Sequence, residues 1–211
     1  MKPTRHQLVR RCCRMLFAFV LILPNPLIAL EWVEKEGHRL AKLTVEPSER
    51  DGFKLLERRV TRVEFANRLT RQLVAKNRNL ANGSGVAIGD VDGDGLPDIY
   101  FCGLQVDNKL YRNRGGWRFE DITAESGVAC PRQYCTGALL ADVDGDNDND
   151  LLVTGLAKGT RLFLNDGFGK FTEKNDSGLF PKLGATSMAM ADIDSDGDLD
   201  LYVTNYRTTN Y

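Results

Sequence analysis

Histidine is almost missing from this chain: His6 and His38 are the only two in 211 residues. Chemistry that needs an imidazole base or a cluster of imidazole ligands is therefore poorly supplied. An excess of one charge is missing too, since Lys plus Arg is 28 and Asp plus Glu is 29. That balance hides a segregation. Lys2, Arg5, Arg10, Arg11 and Arg14 stand in the first 30 residues, where there is no acid. The remaining 181 residues carry 23 basic and 29 acidic side chains, so they offer no basic field to hold a nucleic acid. Neither GxGxxG nor GxxxxGK occurs, which removes the usual phosphate cradles, and a CxxC redox pair is absent. No apolar run is long enough to cross about 30 Å of hydrocarbon.

The longest apolar run, Met15 to Leu23, follows a basic stretch and ends at Pro24, which breaks any helix it begins. Residues 1–30 read as a signal peptide, with an uncleaved anchor or a buried N-terminal helix as the other readings. Cleavage near Ala29 would leave Leu27, which is not small, at the −3 position. The expected location is secreted, periplasmic or cell-surface, with membrane contact only through this segment if it is retained. Beyond it stand Cys102, Cys130 and Cys135. Cys130 and Cys135, in CPRQYC, are close enough to pair across a short turn, and the alternative is that each is a small apolar residue.

Residues 31–81 form a charged, weakly patterned lead-in, with a partial blade as its other reading. Within it VTRVEFANRL (60–69) fits either a strand and turn or a short helix. From Asn82 onward the chain repeats itself. GDVDGDGLPDIYF, ADVDGDNDNDLLV and ADIDSDGDLDLYV begin their acidic sets at Asp90, Asp142 and Asp192. LYRN at 110–113 matches LFLN at 162–165, and Phe119 matches Phe171. The units run 82–133, 134–183 and an incomplete 184–211. Each starts with a short apolar or small strand (SGVAIG, TGALLA, TSMAMA) that enters the acidic loop. A buried strand follows at DIYFCG, DLLVTG or DLYVTN, then NKLYRN or TRLFLN, then a Gly-rich turn and WRFEDI or KFTEK. Trp117, Phe119, Tyr111 and Phe163 are expected in the core. Four short strands every fifty or so residues describe a blade of a β-propeller, so the fold class is all-β and a partial propeller. A β-solenoid-like stack is the structural alternative.

The acidic loops carry the chemistry. Acids hold positions 1, 3, 5 and 9: Asp90, Asp92, Asp94 and Asp98; Asp142, Asp144, Asp146 and Asp150; Asp192, Asp194, Asp196 and Asp200. Four carboxylates in one tight turn repel each other. Lys and Arg are absent from the loops, so a bound cation is the economical remedy. Oxygen donors at this spacing suit Ca²⁺ with six to eight ligands, and position 7 offers the backbone carbonyls of Leu96, Asp148 and Asp198. Mg²⁺ would want a more octahedral, more hydrated site. Glycine at positions 4 and 6 lets the chain curl, with Asn147 and Ser195 as departures. An EF-hand is excluded: position 12 is Phe101, Val153 or Val203 where a bidentate Glu belongs, and each loop leads into a strand.

On SGVAIGDVDGDGLPDIYFCG, NKLYRNRGGWRFEDITAESGV, TGALLADVDGDNDNDLLV and LFLNDGFGKF the chain resembles the FG-GAP/VCBS repeat proteins, whose propellers are like the N-terminal domain of integrin alpha chains. Within that group it is most similar to exported CRTAC/ASPIC/UnbV-like proteins. The resemblance covers residues 82–211 and implies Ca²⁺ at the twelve acids and three carbonyls named above, held between strands largely for structure. It also implies a ring of about seven blades, which at ~51 residues each needs ~357 residues. The expectation is therefore a truncated product or a fragment whose missing blades are among its partners.

The functional expectation is an exported, calcium-stabilised, non-catalytic scaffold for binding or adhesion, with a protein or glycan ligand. The alternative is a truncated or accessory propeller part of a larger secreted enzyme. Against catalysis, Ser84, Ser187, Ser195 and Cys135 have only the distant His38 as a base. Carboxylates gathered round a cation are also held ionised, the opposite of what a general acid needs.

Overall fold

The computed structural model describes residues 32–41, 53–156, 159–179 and 184–207. The signal segment lies outside the described residues. The chain divides into two compact units, Met1–Phe53 and Lys54–Tyr211. In the first, β1 (Trp32–Lys35) and β2 (His38–Ala41) form an antiparallel hairpin, and the Arg39 guanidinium lies 5.1 Å from the centre of the Trp32 ring.

The second unit begins with α1 (Arg58–Thr61), α2 (Arg71–Lys76) and a 3-10 turn at Arg78–Asn82. The segment 60–69 therefore takes neither shape expected of it beyond the last turn of α1. It is held by the sheet that follows. Asn67 Oδ1 accepts from Leu104 N at 2.9 Å, Tyr111 Oη accepts from Glu64 N at 3.1 Å, and Phe65 stacks on Phe101.

Two four-stranded antiparallel meanders follow. One orders β3 (Val86–Gly89), β4 (Asp98–Phe101), β5 (Lys109–Asn113) and β6 (Phe119–Asp121). The other orders β7 (Cys135–Ala141), β8 (Asp150–Gly155), β9 (Gly159–Asn165) and β10 (Phe171–Glu173). A third sheet pairs β11 (Gly184–Ala191) with β12 (Asp200–Arg207). The short helix α3 (Thr123–Ser126) joins the two larger sheets and ends at Gly127 with φ 76°. The architecture is all-β, with the strands where the repeat predicts them.

One continuous core joins the first two repeats through Tyr100, Leu110, Ile122, Val128, Leu151 and Phe163. β4 alternates buried and half-buried residues, as a half-buried strand does, whereas β8 is buried along its whole length. Tyr111, Phe119 and Phe163 are buried as expected. Trp117 is not: it is 65% exposed, at φ 62°, in the turn between β5 and β6. That turn closes through Arg114 N to Arg118 O at 2.7 Å, so Trp117 occupies the corner where the second repeat has Gly169 at φ 80°. The corner faces water, and the fourth strand starts two residues later than its apolar pattern suggests.

Cys102, Cys130 and Cys135 are free, buried thiols, so the disulfide reading of CPRQYC gives way to the apolar one. Their polar edges are occupied. Asn108 Nδ2 donates to Cys135 Sγ at 3.2 Å and Tyr100 Oη lies 3.8 Å from Cys130 Sγ. Burial pushes the Cys102 thiol up to about 12, which keeps it neutral.

Candidate metal centres

Each acidic loop joins the first two strands of its repeat, and all three adopt one conformation. The position-1 carboxylate caps the turn with both oxygens. Asp90 Oδ1 accepts from Gly93 N at 2.8 Å and Oδ2 from Gly95 N at 2.8 Å. Asp142 does the same with Gly145 and Asn147, and Asp192 with Ser195 and Gly197. Position 5 accepts from the backbone N–H of position 7 in every loop, at 2.8 to 2.9 Å. This geometry needs left-handed backbone at positions 4 and 6. Gly93, Gly95, Gly145 and Gly197 supply it freely, while Asn147 (φ 71°) and Ser195 (φ 65°) adopt it with a Cβ.

The result brings positions 1, 3 and 5 together. In Asp90–Asp92–Asp94, Asp142–Asp144–Asp146 and Asp192–Asp194–Asp196, one carboxylate oxygen from each residue lies within 4.8 Å of the others. Position 9 is placed differently. Asp98 and Asp150 are fully buried at the start of the second strand, each with both oxygens on backbone N–H groups. Asp98 accepts from Val91 at 2.9 Å and from Asn113 at 2.7 Å; Asp150 accepts from Val143 at 3.0 Å and Asn165 at 2.9 Å. Asp200 accepts from Ile193 at 2.9 Å. Asp98 and Asp150 thereby tie the loop to the third strand of their own repeat. Burial pushes Asp98 and Asp150 above the usual carboxylate range, against the pull of those donors.

Position 7 also differs between loops. Leu96 is apolar, whereas Asp148 adds a carboxylate whose Oδ2 would lie 2.6 Å from a Cβ on Gly167. Dehydration there, followed by the charges of Asp146, Asp142, Asp166 and Asp144, raises the Asp148 pKa. The second loop thus shows the repulsion that the sequence implies.

The first loop is relieved in a way its own sequence does not reveal. Arg112, on β5, brings its Nε within 2.7 Å of Asp92 Oδ2, with both side chains largely buried. Charge compensation therefore does not rest on a cation alone here, a correction to the inference from the loop's lack of Lys and Arg. Asp92 Oδ1 remains buried without a hydrogen-bond partner. An orphaned carboxylate oxygen beside two other carboxylates, among oxygen donors only, fits a hard divalent ion.

The first loop also sits against the second repeat. Asn149 Nδ2 donates to Asp90 O at 2.7 Å, Asn165 Nδ2 to Val91 O at 2.9 Å, and Arg112 Nη2 to Phe168 O at 2.9 Å. At the other end of the first strands, a cavity of about 580 Å³ is lined by Ser84, Thr136, Thr186, Asn82 and Asn205. Thr136 and Thr186 sit at matching strand irregularities, and Thr136 Oγ1 donates to Ala185 O at 2.7 Å. The sequence pattern marks these hydroxyl positions but not their convergence.

A chain of tandem meanders, each opening on an acidic turn of this shape, defines an aspartate-loop β-repeat protein. A family model described as an FG-GAP-like repeat matches residues 90–153 and 142–203, and the chain belongs to that family. It is similar to Cartilage acidic protein 1 of Homo sapiens, 33% identical over 82 residues that make up 39% of this chain and 12% of that protein. The protein of the same name in Xenopus tropicalis is 28% identical over 109 residues, 48% of this chain and 17% of that one. The chain thus matches less than a fifth of the length of these relatives.

Proposed function

We propose that the chain is an exported, calcium-stabilised, non-catalytic repeat segment that serves as a binding or adhesion scaffold. The observation that carries this reading is the threefold recurrence of one loop geometry, with carboxylates of positions 1, 3 and 5 within 4.8 Å. Asp90, Asp92 and Asp94, with their counterparts at Asp142, Asp144 and Asp146 and at Asp192, Asp194 and Asp196, ligate Ca²⁺. The carbonyls of Leu96, Asp148 and Asp198 and water complete each shell, and Asp98, Asp150 and Asp200 brace the turn from the strand side. The chemistry the ion supplies is charge neutralisation and crosslinking, not Lewis acidity toward a substrate.

The finer fold in this reading is a partial β-propeller. Its support is the close approach of the first strands: a Cβ on Gly85 would meet Gly137 Cα at 2.6 Å, and one on Gly137 would meet Ser187 Cα at 3.8 Å. Innermost strands set side by side, each leading outward into its own meander, are how blades surround an axis. Further blades, from the same or another chain, would then extend the array. Ligands of a neutral, hydrogen-bonding kind, a protein loop or a glycan, suit the hydroxyl-lined cavity near that axis. The N-terminal segment read as an export signal, and the cartilage in the name of the relatives, support a secreted or cell-surface setting.

The test is a thermal melt of the protein in EDTA, then with Ca²⁺ or Mg²⁺ restored. A ligand that binds only the folded state raises stability by about 2.7 kcal/mol at one hundred times its Kd. An upward shift with millimolar or lower Ca²⁺ and a much smaller one with Mg²⁺ is expected. A melt indifferent to both ions overturns the calcium reading.

A further inference from the structure

The three loops are alike in backbone but unlike in charge. The second and third each gather five carboxylates, Asp142 to Asp150 and Asp192 to Asp200. The first gathers four, and Arg112 is paired with one of them. Its counterpart in the second repeat, two places along from the start of LFLN, is Leu164, which brings no charge. Arg112 is also anchored at its far end. Its Nη2 donates to Phe168 O, and Gly169 passes so close that a Cβ there would lie 3.0 Å from the same nitrogen. The guanidinium is thus held between the first loop and the second repeat's β9–β10 turn.

We propose that Arg112 is a positioning residue that makes the first loop the weakest of the three cation sites and couples its filling to the joint between repeats. This rests on the calcium reading above. Arg112 Nε lies against Asp92 Oδ2 as an ion pair without hydrogen-bond geometry, and Asp92 Oδ1, buried and unpartnered, is left for the ion. The same positive charge opposes a divalent cation a few ångströms away, at a site where burial limits screening. Affinity in such oxygen sites follows ligand charge. The second and third loops therefore fill first. The first fills last, and its ion then braces an Asp92–Arg112–Phe168 chain that spans two repeats.

The turn that carries Trp117 lies on this loop, with Leu96 Cδ1 3.9 Å from the place of a Cβ on Gly115. Terbium luminescence excited through Trp117 therefore reads the first loop, provided Trp32 is replaced by Phe. In that background, the full chain is titrated with Tb³⁺, and total binding of Tb³⁺ and, separately, of Ca²⁺ is followed by calorimetry. The expected result is Trp117-sensitised emission with a midpoint at least tenfold above that of the tightest Tb³⁺ sites seen by calorimetry. Arg112→Gln, which removes the charge and keeps a donor, should lower that midpoint about tenfold. Arg112→Lys, which keeps the charge, should leave it within twofold while lowering the Tm.

Calcium binding at the other loops with an unmoved midpoint in Arg112→Gln overturns the proposal alone. Binding of Ca²⁺ at no loop overturns both this proposal and the calcium reading. Should Arg112→Gln fail to fold, the wild-type comparison still decides. A first loop as tight as the others contradicts the proposal.

Discussion

The side-chain amide of Asn165 donates to the carbonyl of Val91, 2.9 Å away and 74 residues earlier in the chain. The same nitrogen donates to Asn149 O at 3.0 Å, and the side-chain oxygen accepts from Asp166 N at 2.9 Å. One buried amide thus satisfies the first repeat's acidic loop, the second repeat's acidic loop and its own turn. Asn113, the matching residue of the first repeat, bonds only within that repeat, to Pro97 O and Gly115 N, and is half-buried. Asn165→Ala leaves a buried carbonyl unpaired and should cost about 1–3 kcal/mol, and Asn113→Ala clearly less. Urea unfolding of both variants checks this, and equal losses would remove the inter-repeat tie from the account.

Ser195 carries a Cβ at φ 65° where the other two loops have glycine at the same position. A left-handed non-glycine residue costs roughly 1–2 kcal/mol, and the extra unfolded-state freedom of glycine returns part of that. Ser195→Gly should therefore raise stability by about 0.5–1 kcal/mol and sharpen the third loop's calcium response. Asn147→Gly should gain less, because Asn tolerates the left-handed region. A lower Tm for Ser195→Gly in both EDTA and Ca²⁺ would refute the strain argument.

Gly85 faces the backbone of Gly137 with no room for a methyl group. Gly85→Ala must push the first strands of two repeats apart, so a loss of about 1–3 kcal/mol or more is expected. Gly83→Ala, two residues earlier with nothing within 4 Å but φ 98°, separates backbone strain from crowding. If the two substitutions cost the same in urea unfolding, close approach of the strands is not what requires glycine at 85.

The repeat made most of this legible. Once Asp90, Asp142 and Asp192 were aligned, strand positions followed from apolar alternation, and the left-handed corners from glycine. What escaped was contact between repeats. Arg112 lies 20 residues beyond Asp92 in sequence, and nothing in LYRN says that its side chain turns back to the loop and not outward like Arg114. Trp117 misled because apolarity alone does not separate a strand residue from a turn corner, although Gly169 at the equivalent place held the signal. The hairpin at 32–41 and the turns at 58–82 lack any repeat to read them against. Position 9 was legible as an acid but not as a brace, since its partners Asn113 and Asn165 lie 15 residues on.

The raised carboxylates give the cation-free protein a pH response of opposite sign to that of the loaded one. Burial holds Asp98 and Asp150 above the usual range, and dehydration with like charges does the same for Asp148. A carboxyl whose folded pKa is raised contributes stability that is fully present below the unfolded value of about 3.9 and is lost as pH rises through the folded value. Asp121 opposes them. Burial lifts it, but its hydrogen bonds to Lys109 and Thr123 hold it below the ordinary value, so its contribution is lost only at lower pH. In EDTA, the Tm should therefore rise as pH falls towards the unfolded carboxylate value of about 3.9. With Ca²⁺ present, the ion is held by other carboxylates that must be ionised to bind it, so acidification weakens its binding and the Tm should fall over the same interval. Asp98→Asn with Asp150→Asn should flatten the EDTA curve, because the buried charge is gone at every pH. An EDTA curve that falls on acidification would mean that the braced carboxylates are stabilised, not strained, by their backbone donors.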